Sequence, residues 1–215
     1  MNAGRFAHPR MLLLTWAALL SLGALTAWGG TRWLDAHVDH LRDQSPWTYL
    51  KAAEAHAQLN NWPAALEALQ AAVDRDSELA VPHERAGHIL HDLGRGREAL
   101  AAYRRTMARG NDSENVAGKA VWCLIQLERY NDAIALGQAC LDRGMQSPYF
   151  PRFIAEAHRR AGDAAAAIPW FERALEGFPG DLLLMERLAQ TYEAIGRTED
   201  AAGLRAQIRE QESAV

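Results

Sequence analysis

A chain of 215 residues, 49% apolar and 23% charged, has the length for one folded domain with an appendage and is too apolar to be disordered. Its formal charge of −4 excludes a global basic field for nucleic acid. Two cysteines, Cys123 and Cys140, outside any CxxC spacing give no support to a zinc cluster or a thioredoxin-like site.

From Met11 to Thr31 no charge interrupts MLLLTWAALLSLGALTAWGGT. At about 1.5 Å per residue such a helix reaches roughly 31 Å, the thickness of a bilayer's hydrocarbon core. Arg5 and Arg10 precede it, and Arg32, Asp35 and Asp39 follow. The positive-inside rule therefore leaves residues 1–10 as a cytoplasmic tail, makes 11–31 a transmembrane anchor and exports the rest. Trp28 and Trp33 stand where an interfacial aromatic belt would lie. A cleaved signal peptide is the rival reading, because Ala27-Trp28-Gly29 offers small residues at both key places; a buried soluble helix is the third. Without Arg5 and Arg10 the chain has 21 basic and 27 acidic residues, a charge of −6, so the exported part is not drawn to anionic lipid. In the linker 32–45, Leu34, Val38 and Leu41 fall at helical spacing and predict a short amphipathic helix; His37 and His40 read as its solvated face, with contact to the membrane interface or a metal as the alternatives.

A period of 34 organises everything that follows. Ala65, Ala99, Ala133, Ala167 and Ala201 recur at that step, and Leu66, Leu100, Ile134, Ile168 and Ala202 beside them. Five residues before each alanine, a turn glycine stands three times, as Gly94, Gly162 and Gly196. Ser45, Ser113, Ser147 and Asp181 occupy the slot of a helix N-cap, and Pro46 and Pro148 follow at the first helical position. Residues 46–215 divide into 46–79, 80–113, 114–147, 148–181 and 182–215, each with two helices joined by a tight turn.

This pattern resembles the tetratricopeptide repeat family, which sets small residues at repeat positions 8 and 20, bulk at 24, alanine at 27 and proline at 32. The fourth repeat supplies Ala155, Ala167, Phe171, Ala174 and Pro179; the second supplies Gly87, Ala99 and Tyr103; the first supplies Ala53, Ala65, Leu69 and Ala72. The resemblance implies an all-α fold: an α-solenoid of five helix–turn–helix repeats, here preceded by the N-terminal transmembrane helix. Two positions depart from it. Gly137 stands where bulk is expected, so the third hairpin is expected to pack loosely or to lean on Leu136. Pro169 falls mid-helix and predicts a local kink toward solvent. Arg205, in the bulk slot of the last repeat, marks a wetter terminal helix. Cys123 and Cys140 lie in small buried slots and read as packed free thiols; a disulfide would need a one-turn slip between their helices.

The resemblance also implies that the first helix of each pair lines a concave, peptide-binding groove. The groove residues are then Trp47 in repeat one, Glu84, His88 and His91 in repeat two, Gly118 and Trp122 in repeat three, and Tyr149, Arg152, Glu156 and Arg159 in repeat four. Gly118 and Trp122, four apart, put a notch beside an indole, with His88 and His91 on one side and Arg152 and Arg159 on the other. An aromatic platform with arginines suits an extended peptide or a chain terminus; partly buried packing and pairing with Glu156 is the plain alternative. Glu84, His88 and His91 share a helix face that could hold a metal, but no fourth ligand is evident. No nucleophile elbow, P-loop or dinucleotide fingerprint is present, so no enzyme and no cofactor is expected.

Three functions remain open. The first is a scaffold in a bacterial inner membrane, its repeats periplasmic, holding a protein partner; bacterial proteins of this layout resemble assembly factors for envelope complexes. The second is a permanent structural subunit held by the anchor and the convex face. The third is a metal-binding or enzymatic site around His88 and His91.

Overall fold

A computed structural model describes residues 45–213 of the chain. The anchor expected over 11–31, and the linker helix apart from Ser45, lie outside the described residues. Among the described residues no helix is long and apolar enough to cross a membrane.

Ten helices and no strand occur among the described residues. They are α1 (Pro46–Gln58), α2 (Trp62–Arg75), α3 (Ala80–Asp92), α4 (Gly96–Ala108), α5 (Glu114–Gln126), α6 (Tyr130–Asp142), α7 (Tyr149–Arg160), α8 (Ala164–Gly177), α9 (Leu182–Ala194) and α10 (Thr198–Ser213). The second helix of each hairpin begins at 62, 96, 130, 164 and 198, a constant step of 34 residues. α1 and α2 belong to a compact unit ending at Arg75, and α3 to α10 to a second that begins at Asp76. In the first, α1 and α2 close on each other over Tyr49, Leu50, Ala53, Ala65 and Leu69. In the second, every helix packs on its successor, and α5 also packs on α7.

One turn geometry serves all five hairpins. Asn60, Gly94, Glu128, Gly162 and Gly196 all have positive φ, between 56° and 86°. The residue after each donates its N–H back across the helix end, as Arg95 does to the Leu90 carbonyl at 2.8 Å and Arg129 to Leu124 at 2.9 Å. This is the Schellman arrangement, which satisfies carbonyls that the helix end leaves without partners. Glycine takes the left-handed backbone without a Cβ penalty; Asn60 and Glu128 take it nonetheless.

The packing follows a small-against-large rule. A Cβ on Gly87 would stand 2.7 Å from Cε1 of Tyr103, so the ring of α4 fills the notch of α3. Ala155 and Phe171 share a buried cluster in the same way in the next-but-one hairpin. The expectation of loose packing at Gly137 is corrected. A Cβ there would sit 2.8 Å from Cγ1 of Ile154, so the bulk missing from α6 is supplied by α7. Where repeats one to three have Ala52, Ala86 and Ala120, repeat four has Ile154, fully buried.

Local expectations fare unevenly. Asp181 caps α9, accepting from the Leu184 N–H at 2.9 Å, and Asp163 caps α8. Ser45 and Ser113 hold N-cap positions but make no side-chain cap bond, and at α7 the cap is Pro148, not Ser147. Backbone carbonyls close those first turns instead, as with Thr48 N–H to Ser45 at 2.9 Å. α8 runs through Pro169 from Ala164 to Gly177. Pro169 and Ala165 are both exposed, so the carbonyl that loses its helical donor faces water. On α10 only Ala201 is buried, and Arg205 pairs with Glu186 and Glu193 across the end of the stack.

Candidate functional site

α5 and α7 are the first helices of consecutive hairpins, and side by side they frame a cleft of about 780 Å³. α5 contributes Gly118, Lys119 and Trp122; α7 contributes Tyr149, Arg152 and Phe153; His91 comes from the end of α3. The wall is a chain of rings. Trp122 and Phe153 have centroids 5.7 Å apart, Phe153 and Tyr149 are stacked at 6.0 Å, and Tyr149 meets Phe178 at 5.1 Å. Ring pairs at these distances each contribute about 0.5–1.5 kcal/mol beyond area burial, which holds the wall in one geometry. Tyr149 remains half exposed, at 50%, so the ladder opens to solvent at that end. A Cβ on Gly118 would lie 3.5 Å from Phe153, an ordinary contact. The notch at Gly118 is therefore shallow, and Phe153 already occupies its far side.

Beyond Trp122 the groove becomes cationic. Glu156, only 5% exposed, accepts two bonds of 2.9 Å from Arg159, one of 2.6 Å from Arg160 and two of 3.4 Å from Arg187 of α9. Burial by itself pushes the Glu156 carboxyl up; hydrogen bonds from Arg159 and Arg160, with the charges of Arg159 and Arg187, outweigh it and hold the group below the usual carboxylate range. The Arg160 guanidinium lies 5.9 Å from the centre of the Trp122 ring, so cluster and ladder are contiguous. Arg152 is held separately, 2.8 Å from Asp181, the carboxylate that caps α9.

A sequence profile of the tetratricopeptide repeat matches residues 36–213. The chain belongs to the tetratricopeptide repeat family. Among solved structures it is similar to MamA from Desulfovibrio magneticus RS-1, with a TM-score of 0.71 and 14% identity over 79% of this chain and 96% of that one. It is also similar to YrrB, described as a tetratricopeptide protein with an unusual peptide-binding site, with a TM-score of 0.68 and 16% identity over 82% and 91% of the two chains. At these identities the likeness concerns the fold. A curated relative, cellulose synthase operon protein C of Xanthomonas axonopodis pv. citri (strain 306), is 28% identical over 214 residues. That match takes in 92% of this chain but 13% of the relative, so the chain spans about an eighth of that protein's length.

In this tetratricopeptide repeat chain, the cleft gathers five of the ten expected groove residues: His91, Gly118, Trp122, Tyr149 and Arg152. Glu156 and Arg159 stand in the cationic cluster, Glu156 as its buried counter-charge. Trp47, on α1 of the first compact unit, is 55% exposed. Glu84, His88 and His91 do not converge. Glu84 accepts from Asn111 at 2.8 Å, His91 faces Asp92 at 3.3 Å, and the His88 ring lies 5.7 Å from the Tyr103 ring. Burial and then Lys119 push the His88 ring's pKa down, so it is neutral near pH 7. Among the described residues no group of three metal-ligating side chains forms. Both thiols are buried and free, and burial pushes Cys123 up to about 11, which keeps it protonated and unreactive. Phe153 and Arg187 escaped the sequence reading because both stand at repeat position 6, outside the groove positions that the resemblance implied.

Proposed function

We propose that this protein is a non-enzymatic scaffold whose α5–α7 cleft holds an extended segment of a partner protein. Its repeats would stand on the exported side of a bacterial inner membrane, tethered by residues 11–31, and the layout suits an assembly factor for an envelope complex. The observation that carries the binding reading is the ladder Trp122–Phe153–Tyr149, an aromatic wall that ends half exposed along the α5–α7 cleft. The peptide-binding site named for YrrB gives a precedent on this fold, and only a precedent.

The test is site-specific photocrosslinking in native membranes, with the probe at Tyr149 and, as a control, at Arg104, exposed on α4. The reading expects one discrete adduct from position 149 that disappears when Gly118→Leu fills the cleft. An adduct from position 104, with none from 149, overturns the groove reading in favour of a structural subunit. Mass determination of the mature N-terminus distinguishes an anchor from a cleaved leader.

A further inference from the structure

We propose that the groove reads two features at once, an aromatic or long apolar anchor in the cleft and an acidic run of the same partner segment on Arg159, Arg160 and Arg187. This rests on the cleft reading above and adds the partner's chemistry to it. Three guanidinium groups surround one carboxylate, which leaves two positive charges without a counter-charge in the cluster. Of the acids nearby, Asp181 is engaged by Arg152, Glu186 and Glu193 by Arg205, and Asp132 by Arg129, while Glu128 lines a pocket with Arg160 without bonding to it. The excess stands out because the chain as a whole is acidic.

Glu156 fixes the arginines without consuming them. Each guanidinium carries five N–H donors, and at most two from any one of the three point at Glu156. Their side chains stay 29% to 32% exposed, so donors remain on the solvent side. Arginines already held in place lose less freedom on binding than mobile ones, and guanidinium–carboxylate bonds are among the stronger polar contacts. From Phe153 to Arg160 is seven residues of helix, about 10 Å. An extended peptide covers that in roughly three residues. The acidic run therefore begins about three positions from the anchor.

The test uses the full chain in nonionic detergent and an amidated, fluorescein-labelled peptide with one phenylalanine, a two-glycine spacer and four glutamates. A matched peptide has four glutamines. Fluorescence anisotropy is expected to show the glutamate peptide binding at least about tenfold more tightly. Arg187→Gln, whose bonds to Glu156 are the longest of the set, is expected to remove most of that preference and leave the glutamine peptide unchanged. Arg160→Gln with Arg187→Gln is expected to abolish it, with circular dichroism as the check on folding. Equal affinity for the two peptides overturns the acidic-run proposal while Tyr149 crosslinking can still uphold the cleft. Polyphosphate of equal charge displacing the peptide as well as a glutamate oligomer also overturns it, by showing a general anion surface. Loss of both peptides with Gly118→Leu places them in the cleft; retention of both places them elsewhere and overturns the proposal.

Discussion

The exchange of bulk between Gly137 and Ile154 can be tested as a coupled pair. Ile154 is fully buried. Ile154→Ala removes three carbons, about 2.4 kcal/mol of transfer free energy at about 0.8 per methylene, and leaves a cavity, so the total loss is about 3–4 kcal/mol. Gly137→Ala in the natural chain sets a methyl 2.8 Å from Cγ1 and 3.2 Å from Cδ1 of Ile154. Overpacking of that kind costs about 1–3 kcal/mol, against a helix-propensity gain of about 0.5–1 kcal/mol, for a net change of zero to mildly destabilising. In the Ile154→Ala background the obstructing atoms are gone. The same methyl then gains burial as well as propensity, and Gly137→Ala becomes stabilising by about 1–2 kcal/mol. Urea unfolding of the four proteins, followed by far-UV circular dichroism, gives the coupling energy directly. The reasoning predicts about 2 kcal/mol. If Gly137→Ala has the same effect in both backgrounds to within about 0.5 kcal/mol, α7 is not filling the gap in α6.

Glu128 holds a left-handed turn at φ 60° where three other hairpins use glycine, so Glu128→Gly is expected to raise stability by about 1 kcal/mol in thermal unfolding, and Gly162→Ala at φ 86° to lower it by a similar amount. Glu156→Gln leaves Arg159, Arg160 and Arg187 without their shared carboxylate and is expected to cost about 3 kcal/mol in urea unfolding. The Glu156 carboxyl titrates below its ordinary value of 4.5 in the folded protein, so its contribution is complete above that pH and is lost as the pH falls through the folded value. Acid titrations of stability should therefore be flatter below about pH 4.5 in Glu156→Gln than in the natural chain, and parallel curves would contradict the linkage.

The fold was legible because its signal is redundant. Ala65, Ala99, Ala133, Ala167 and Ala201 are small for one steric reason repeated five times, and any one of them could have misled without the others. Single-residue features were less legible. Serine at a cap slot does not say whether its hydroxyl turns to the backbone, and Ser45 and Ser113 do not use theirs. Gly137 looked like a defect because its compensation, Ile154, lies in the following repeat and reads as one more apolar residue. For Glu156 the plain alternative, pairing with a groove arginine, is met by Arg159, but sequence does not show that Arg160 and Arg187, the latter 31 residues away, converge on it as well and bury it.

The wall of the proposed groove departs from the repeat at one position. Position 6 of the five repeats reads Lys51, Arg85, Lys119, Phe153 and Arg187. Four are cations, and the exception is the ring that joins Trp122 to Tyr149. Packing does not demand an aromatic there, since Phe153 is only partly buried and its four counterparts are basic. Phe153→Lys restores the chain's own preference at that slot while removing two ring pairs. Its expected cost in stability is about 1–3 kcal/mol, the worth of those pairs, with the helix content intact. Its expected effect on the cleft is larger, because both neighbouring rings lose their spacer: the crosslink from Tyr149 should disappear, and Trp122 emission should shift to the red as the indole gains water. A Phe153→Lys protein that keeps the crosslink would mean that the ladder is packing alone and that other residues of the cleft hold the partner.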